Sequence, residues 1–278
     1  MYEFVNHAEV TRYREFCSKT LISLCASLKE YDITAQPVLI GSGARNLVTK
    51  NGAGAFDLDY NLEIIRMPAD YDHDLFSLKN RVMTLLNKQL EGTYFSDAKD
   101  STSVITAVLH FTDTPQVQFS FDIGIIKKNK QGNYCRLIHQ KDGWSHGTFT
   151  WCEIPTSAQV GEKASAIKKA GKWVAVRQRY LELKNQYLKG NDRNHPSFVV
   201  YVEAVNQIFA TLSKKPQPAK PSGKAPQKAV KKSAPVKDPP KATQNKAKEK
   251  AAAEKAARDN RANQLNPNNK AYIGKKKK

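Results

Sequence analysis

Two segments of alternating apolar and polar residues constrain the fold of this 278-residue chain more than any other feature of its sequence. Residues 56–65 put two kinds of side chain on opposite faces of a predicted strand, with Phe56, Leu58, Tyr60 and Leu62 opposed to Asp57, Asp59, Asn61 and Glu63. Residues 117–127 alternate in the same way, and Asp122 falls on the polar face. Since successive side chains of a strand point to opposite faces, the pattern predicts a sheet with one apolar face and one acidic face.

Helices and further strands are predicted around these two segments. Apolar residues recur at helical spacing in residues 8–31 and 72–90. Residues 38–40 indicate a short buried strand, and residues 103–111 another. A turn at Gly132 and Asn133 introduces a strand at residues 134–139, predicted as part of an edge hairpin. The expected class is α/β (α+β), with a mixed sheet flanked by helices.

The pattern becomes helical beyond Trp151. Thr156 and Gln159 suit a capping box that opens a helical stretch to about residue 188, with an interruption expected at Gly171. A last helix is expected from about residue 194. We therefore expect a head at residues 1–151, a helical subdomain at 152–213 and a separate tail at 214–278.

The tail holds most of the positive charge of the chain. Residues 214–278 contain 20 basic and 4 acidic residues, so a net charge of +16 out of +19 lies there. With few large apolar residues the segment cannot offset its ordering entropy by burial, and it is predicted to be disordered. Two interpretations remain open: a solubilising extension, or a polycationic arm that binds RNA through its phosphates.

Other features of the composition exclude several classes of protein. The four cysteines show neither a CxxC pair nor zinc-finger spacing and are expected to be reduced thiols. There is no apolar run of 18 residues, so no membrane span is expected, and a cytoplasmic location is predicted. The sequence leaves the oligomeric state open.

The acids on the two polar faces are the candidate site. Carboxylates at positions i and i+2 of one strand point the same way, about 6 to 7 Å apart. A third aspartate on a neighbouring strand would complete a cluster able to hold two Mg²⁺, with Mn²⁺ as an alternative, as in phosphoryl transfer. Asp57, Asp59 and Asp122 are therefore the candidate catalytic and metal-binding residues. An Asp-x-Asp strand taken alone is more often a solvated face.

A glycine-serine turn precedes the acids. Gly41 and Ser42 follow the strand at 38–40 and would offer backbone N–H groups and a hydroxyl to phosphates. Gly41 allows the backbone to approach a ligand closely. Arg45 lies in the loop that follows and is a further candidate for nucleotide binding.

Together these parts resemble the polymerase-beta-like nucleotidyltransferase superfamily. The matching segments are LIGSGARN at 39–46, FDLDYNL at 56–62 and QFSFDIGI at 118–125. The resemblance implies a nucleotidyltransferase head in which Asp57 and Asp59 hold both metals, Asp122 ligates one and helps to deprotonate an acceptor hydroxyl, and Ser42 grips the triphosphate of an NTP. The stretch between Ser42 and Asp57 is longer than in many members, which leaves the geometry of the turn open.

Lysines of the helical part are weaker candidates. Members of the superfamily often close over the triphosphate with a lysine from this region, and Lys163 and Lys168 are the residues assigned here. The competing interpretation for each is a solvated helix face.

The acceptor is open at this stage. The prediction is transfer of a nucleoside monophosphate to an acceptor hydroxyl, with an RNA 3′ end favoured because of the basic tail. Nucleotide joining, or modification of a protein or small molecule as in antiviral or toxin enzymes, is one alternative. A non-catalytic nucleic-acid-binding protein is the other.

Overall fold

A seven-stranded mixed sheet is the centre of the fold, in a computed structural model that describes residues 1–112, 116–141, 147–155, 158–192 and 196–212. The strands are β1 Tyr2–Phe4, β2 Thr34–Leu39, β3 Thr49–Asn51, β4 Phe56–Arg66, β5 Lys99–Asp100, β6 Ile105–His110, β7 Val117–Lys128, β8 Tyr134–Gln140 and β9 Thr148–Glu153. The helices are α1 His7–Lys29, α2 Gly41–Arg45, α3 Asp70–His73, α4 Leu75–Leu90, α5 Ala158–Lys169, α6 Trp173–Lys189 and α7 Ser197–Leu212. The predicted α/β class with a helix-flanked mixed sheet is confirmed.

Strand β7 organises the sheet because it pairs with three others. It lies parallel to β4 along nine residue pairs, and on its other edge it pairs antiparallel with β6 and then with β8. Strand β2 completes one side by pairing antiparallel with β4, and β9 pairs with β8. The two acid-bearing strands are therefore adjacent, in the middle of the sheet.

The apolar face of β4 and β7 packs against α1 and α4. Leu58, Leu62, Phe119 and Phe121 are fully buried there. The ring of Tyr13 from α1 stacks on Phe119 with centroids 4.1 Å apart. Because this face is occupied by helices, the opposite face is left to the acids, as the alternation predicts.

A separate two-stranded ribbon ties the start of the chain to α6. Strands β1 and β3 pair antiparallel, and Asn185 of α6 accepts a hydrogen bond from the backbone N–H of Tyr2 and donates one to its carbonyl, at 2.7 and 3.0 Å. The ribbon leads directly into the loop before β4, the first of the two acid-bearing strands.

Three details differ from the sequence expectation. The strand at residues 38–40 is not buried: Val38 is 39% exposed, because it pairs with Asn61 and therefore lies on the polar face of the sheet. The helix expected at 72–90 is two helices, because Asp74 caps α4 by accepting from the Ser77 N–H. The segment before Trp151 contributes a full strand, β9, that the sequence pattern did not predict.

The helical part agrees with its prediction where it is described; Thr156 of the predicted capping box lies outside the described residues. The interruption between α5 and α6 falls at Gly171, whose φ of 66° is the left-handed conformation that glycine adopts without strain.

The chain divides into two units, Met1–Phe209 and Ala210–Lys278, and the acid residues lie within the first. The boundary at residue 151 stays a prediction, and the tail from Lys214 on lies outside the described residues. None of the helices in the described part is long and apolar enough to cross a membrane.

Candidate active site

The register of β4 against β7 brings the predicted acids together. Asp59 lies directly opposite Asp122, and neighbouring strands are about 4.8 Å apart. Asp57 is two residues before Asp59 on the same face and is exposed, whereas Asp59 and Asp122 are half-buried. The three carboxylates thus share one patch of the polar face.

The acids perturb one another strongly. Burial, followed by the charges of Asp57 and Asp122, raises the pKa of Asp59 to about 6. Burial is also the main cause of the raised pKa of Asp122, to which the charge of Asp57 adds, while a hydrogen bond from the Thr106 hydroxyl at 2.5 Å opposes the shift. Repulsion of this kind is relieved by a bound cation or by a proton.

The glycine-serine turn is packed against the acid pair. Gly41 has φ of 63°, and a Cβ built on it would lie 2.1 Å from Oδ2 of Asp59, so glycine is required both by conformation and by space. The Ile40 N–H donates to the Asp59 carbonyl at 2.8 Å, and Arg45 donates to the Gly41 carbonyl at 2.7 Å. Ser42 is the next residue, half-buried in the first turn of α2. The structure therefore brings Gly41 and Arg45 next to Asp59, and Ser42 follows Gly41 in the chain.

The carboxylate oxygens of the patch are the donor type that hard divalent cations prefer. Mg²⁺ prefers carboxylate oxygens, and three carboxylates in one repulsive patch supply them. As the side chains stand, the described residues contain no group of three or more His, Cys, Asp or Glu arranged to hold a metal ion. Oδ2 of Asp59 lies against Gly41, and Asp122 accepts a hydrogen bond from Thr106.

A lysine from α6 lies on the Asp57 side of the patch. Lys184 donates to the hydroxyls of Thr49 and Ser197 at 3.0 and 3.2 Å. Burial lowers the pKa of Lys184, and the charge of Asp57 opposes that shift. A half-buried ammonium within the field of an acid site is suited to bind a phosphate.

Lys163 and Lys168, the lysines assigned from sequence, have other partners in the structure. Lys163 donates to the side chain of Asn206 at 2.7 Å, and Lys168 is exposed with its ammonium 4.6 Å from the ring centre of Trp173. Neither is among the charges that perturb the pKa of Asp59 or Asp122. Their role in nucleotide binding stays a prediction.

Arg136 on β8 also acts on the acid patch, and the sequence analysis did not predict it. Its guanidinium donates to Asn61 at 3.1 Å, and its charge lowers the pKa of Asp59 against the effect of burial. It passes over Gly124, where an added Cβ would lie 3.2 Å from its Nε. That Nε is buried without a hydrogen-bond partner in the described part of the chain. Only the pairing of β8 with β7 brings Arg136 here, so no local motif could have revealed it.

The raised pKa values predict how stability and metal binding depend on pH. For an aspartate whose pKa is higher in the folded than in the unfolded state, the stabilising contribution is present below about pH 3.9 and is lost as pH rises through about 6. Mg²⁺ competes with that proton, so the Mg²⁺-induced rise in melting temperature should be larger at about pH 7.5 than at about pH 5. Thermal melting with and without Mg²⁺ measures this.

The matched variant for this prediction is Asp59→Asn. At neutral pH without metal it should be more stable than the wild type by at most about 2 kcal/mol, since a repulsive charge is removed. It should also lose most of the Mg²⁺ response. An Mg²⁺ response equal at both pH values would contradict the predicted competition.

Comparison with known proteins found similarity to three kinds of solved structure. A Bradyrhizobium diazoefficiens CD-NTase, CdnG with GTP, has a TM-score of 0.36 and 17% identity, over 58% of this chain and 41% of that one. GTP-bound DncV of Vibrio cholerae has a TM-score of 0.45 and 14% identity, over 66% and 47% of the chains. CdnC of E. coli with ATP has a TM-score of 0.44 and 16% identity, over 74% and 66%.

These similarities are distant and partial. The matched region spans less than half of the CdnG and DncV chains. No protein-family model matches the chain, and a search of curated proteins gave no match. The function of this chain is therefore inferred from the geometry of the acid site.

Proposed function

We propose that this chain transfers a nucleoside monophosphate from an NTP to an acceptor hydroxyl, with release of pyrophosphate. The observation that carries the proposal is the convergence of Asp57, Asp59 and Asp122 on one patch beside the Gly41–Ser42 turn. Two Mg²⁺ ions held by these acids would supply charge stabilisation for the attacking and leaving oxygens. Mn²⁺ is the expected substitute.

The residues of the chain have distinct tasks in this reaction. Ser42 and the backbone of the turn bind the phosphates of the donor, and Lys184 neutralises their charge from the Asp57 side. Asp122 accepts the proton of the attacking hydroxyl, whose oxygen forms a bond to the α-phosphorus as the bond to the β-phosphate breaks. Thr106 orients Asp122 through its hydrogen bond.

The two flanking cations distinguish a donor side from an acceptor side. The turn follows β2, and Lys184 acts on Asp57. The guanidinium of Arg136, in contrast, crosses Gly124 to reach Asn61, and these two residues pair two positions beyond Asp122 and Asp59. In-line attack requires the acceptor to enter opposite the leaving pyrophosphate. We therefore assign the end of the acid patch at Asn61 and Gly124, with Arg136, to the acceptor.

An RNA 3′ end is the first candidate acceptor. A tail with 20 basic and 4 acidic residues raises the local concentration of RNA by counterion release, without reading its sequence. Nucleotide joining is the second candidate, because a buried guanidinium beside Asn61 suits the phosphate or base edge of a single nucleotide. We propose a cytoplasmic location for either reaction, since NTP and Mg²⁺ are available there.

Labelled nucleotides separate these candidates. The full chain is incubated with each α-³²P NTP and Mg²⁺, with and without total RNA. Label that moves to RNA supports the first candidate, and label in a small product formed without RNA supports the second. Label on the chain itself or on an added protein indicates protein modification. No transfer with any NTP and either metal would leave a nucleic-acid-binding scaffold and overturn the proposed enzyme.

Removal of the tail tests the RNA partner. Deletion of residues after Ser213 should weaken RNA binding about ten- to thirtyfold at about 0.15 M salt and flatten its dependence on salt, because fewer counterions are released. Fluorescence anisotropy with labelled RNA at several salt concentrations measures both. The Mg²⁺ response of the melting temperature serves as the control and should not change. Equal affinity and salt slope in the shortened chain would contradict the tail as an RNA-binding arm.

A further inference from the structure

The first strand of the chain contacts Lys184, the lysine whose pKa responds to the charge of Asp57. The ammonium of Lys184 lies 4.2 Å from the centre of the Tyr2 ring. Tyr2 is fixed through its backbone by the two hydrogen bonds of Asn185, the residue that follows Lys184 in α6. The backbone of Tyr2 and the side chain of Lys184 are therefore anchored to neighbouring residues of one helix turn.

Several groups enclose the ammonium of Lys184. Thr49 and Ser197 accept its hydrogen bonds, and the ring of Tyr180 lies 5.6 Å away. Thr49 belongs to β3, the partner of β1, and pairs with Phe4. The ribbon β1–β3 thus contributes both a ring and a hydroxyl to one ammonium. A long lysine side chain has many rotamers, and this set of contacts selects one of them.

We propose that Tyr2 is a positioning residue for nucleotide binding: its ring holds the Lys184 ammonium towards the phosphates at the Asp57 side of the site. The inference depends on the proposed use of NTP. A cation over an aromatic face is attracted by the electrons of the ring, and the attraction grows when water is excluded. Burial lowers the pKa of Lys184, in agreement with an ammonium removed from water. A fixed ammonium binds phosphate more tightly because less freedom is lost on binding.

Phe4 provides a matched control on the same strand. Tyr2 and Phe4 are two residues apart, so their side chains point to the same face of β1. The Phe4 ring contacts Arg177, at 4.5 Å from its guanidinium, instead of Lys184. Phe4→Leu therefore weakens the packing of the ribbon as Tyr2→Leu does, while the contact with Lys184 is kept.

Equilibrium binding of a non-hydrolysable NTP with Mg²⁺ to the full chain tests the inference. Tyr2→Leu should weaken binding about three- to tenfold, whereas Tyr2→Phe, which keeps the ring, should restore it to within about twofold. Phe4→Leu should also stay within about twofold. In a Lys184→Met background, Tyr2→Leu should have no further effect, since the group that it positions is gone.

The outcomes separate this inference from the proposed function. Wild-type protein that binds no NTP overturns the proposed function and the inference with it. Wild-type binding, combined with equal losses in Tyr2→Leu and Phe4→Leu, or with an undiminished effect of Tyr2→Leu in the Lys184→Met background, overturns the role of Tyr2 alone. Melting temperatures of the five variants, the double variant included, show that the folded state is being compared.

Discussion

Replacement of Asp122 by Asn should lower kcat for nucleotidyl transfer by at least about 10³-fold while the protein stays folded. Asp122 is the acid on the acceptor side, directly opposite Asp59 in the sheet. An amide neither takes the proton of the attacking hydroxyl nor supplies an anionic ligand to a divalent ion. The variant thus loses two contributions to the transition state at once, which is why its effect should be the largest.

The fold should tolerate this change for a specific reason. Burial raises the pKa of Asp122, which means that burial opposes its charge, so removal of the charge should cost the fold little. The amide oxygen of Asn still accepts from the Thr106 hydroxyl. Asp97→Asn, at an exposed position, is the matched control and should keep full activity. Single-turnover transfer assays give kcat, and thermal melting monitors the fold. Transfer within about tenfold of wild type in Asp122→Asn would exclude the proposed catalytic role.

Lys184→Met should reduce kcat/KM for the NTP by about 30- to 100-fold, mainly through KM. A hydrogen bond to a charged group contributes about 1.5 to 3 kcal/mol, and every 1.4 kcal/mol is a tenfold change in affinity. Methionine keeps most of the buried stem of the side chain. Since burial lowers the pKa of Lys184, loss of its charge should cost little folding stability.

Lys163→Met is the comparison that decides between two lysines. Lys163 was the lysine favoured by sequence position, whereas the structure binds its ammonium to Asn206 and gives Lys184 a place near Asp57. We expect the Lys163 variant to lie within about threefold of the wild type in steady-state kinetics. A larger loss of kcat/KM in Lys163→Met than in Lys184→Met would show that Lys163 of α5, and not Lys184, binds the phosphates.

Local sequence patterns predicted the strands and helices well where one local feature, such as uninterrupted alternation or a single glycine, fixes the conformation. Strand β4 agrees with residues 56–65 and β7 with 117–127, because each alternates without interruption. The break between α5 and α6 agrees because Gly171 adopts a positive φ. The exceptions were decided by neighbours: β2 is half-exposed because Val38 pairs with Asn61 on the polar face, and Asp74 ends one helix by capping the next.

The residues of the candidate site also divide into those that the sequence predicted and those that it did not. Asp57, Asp59, Asp122 and the Gly41–Ser42 turn were found because their spacing along the chain fixes their faces, and the structure brings them to one patch. Arg136, Lys184 and Tyr2 were missed. Each reaches the patch from an element that pairs or packs only in the folded chain, and none lies in a recognisable motif.

The sequence by itself determined which residue types meet at the acid patch, because a period of two puts every second residue of a strand on one face whatever the strand pairs with. Tertiary structure alone decided the register that sets Asp59 opposite Asp122, and the cations that flank them. Register and packing arise from contacts between residues far apart in the chain, such as Tyr2 with Lys184, and no local pattern encodes these.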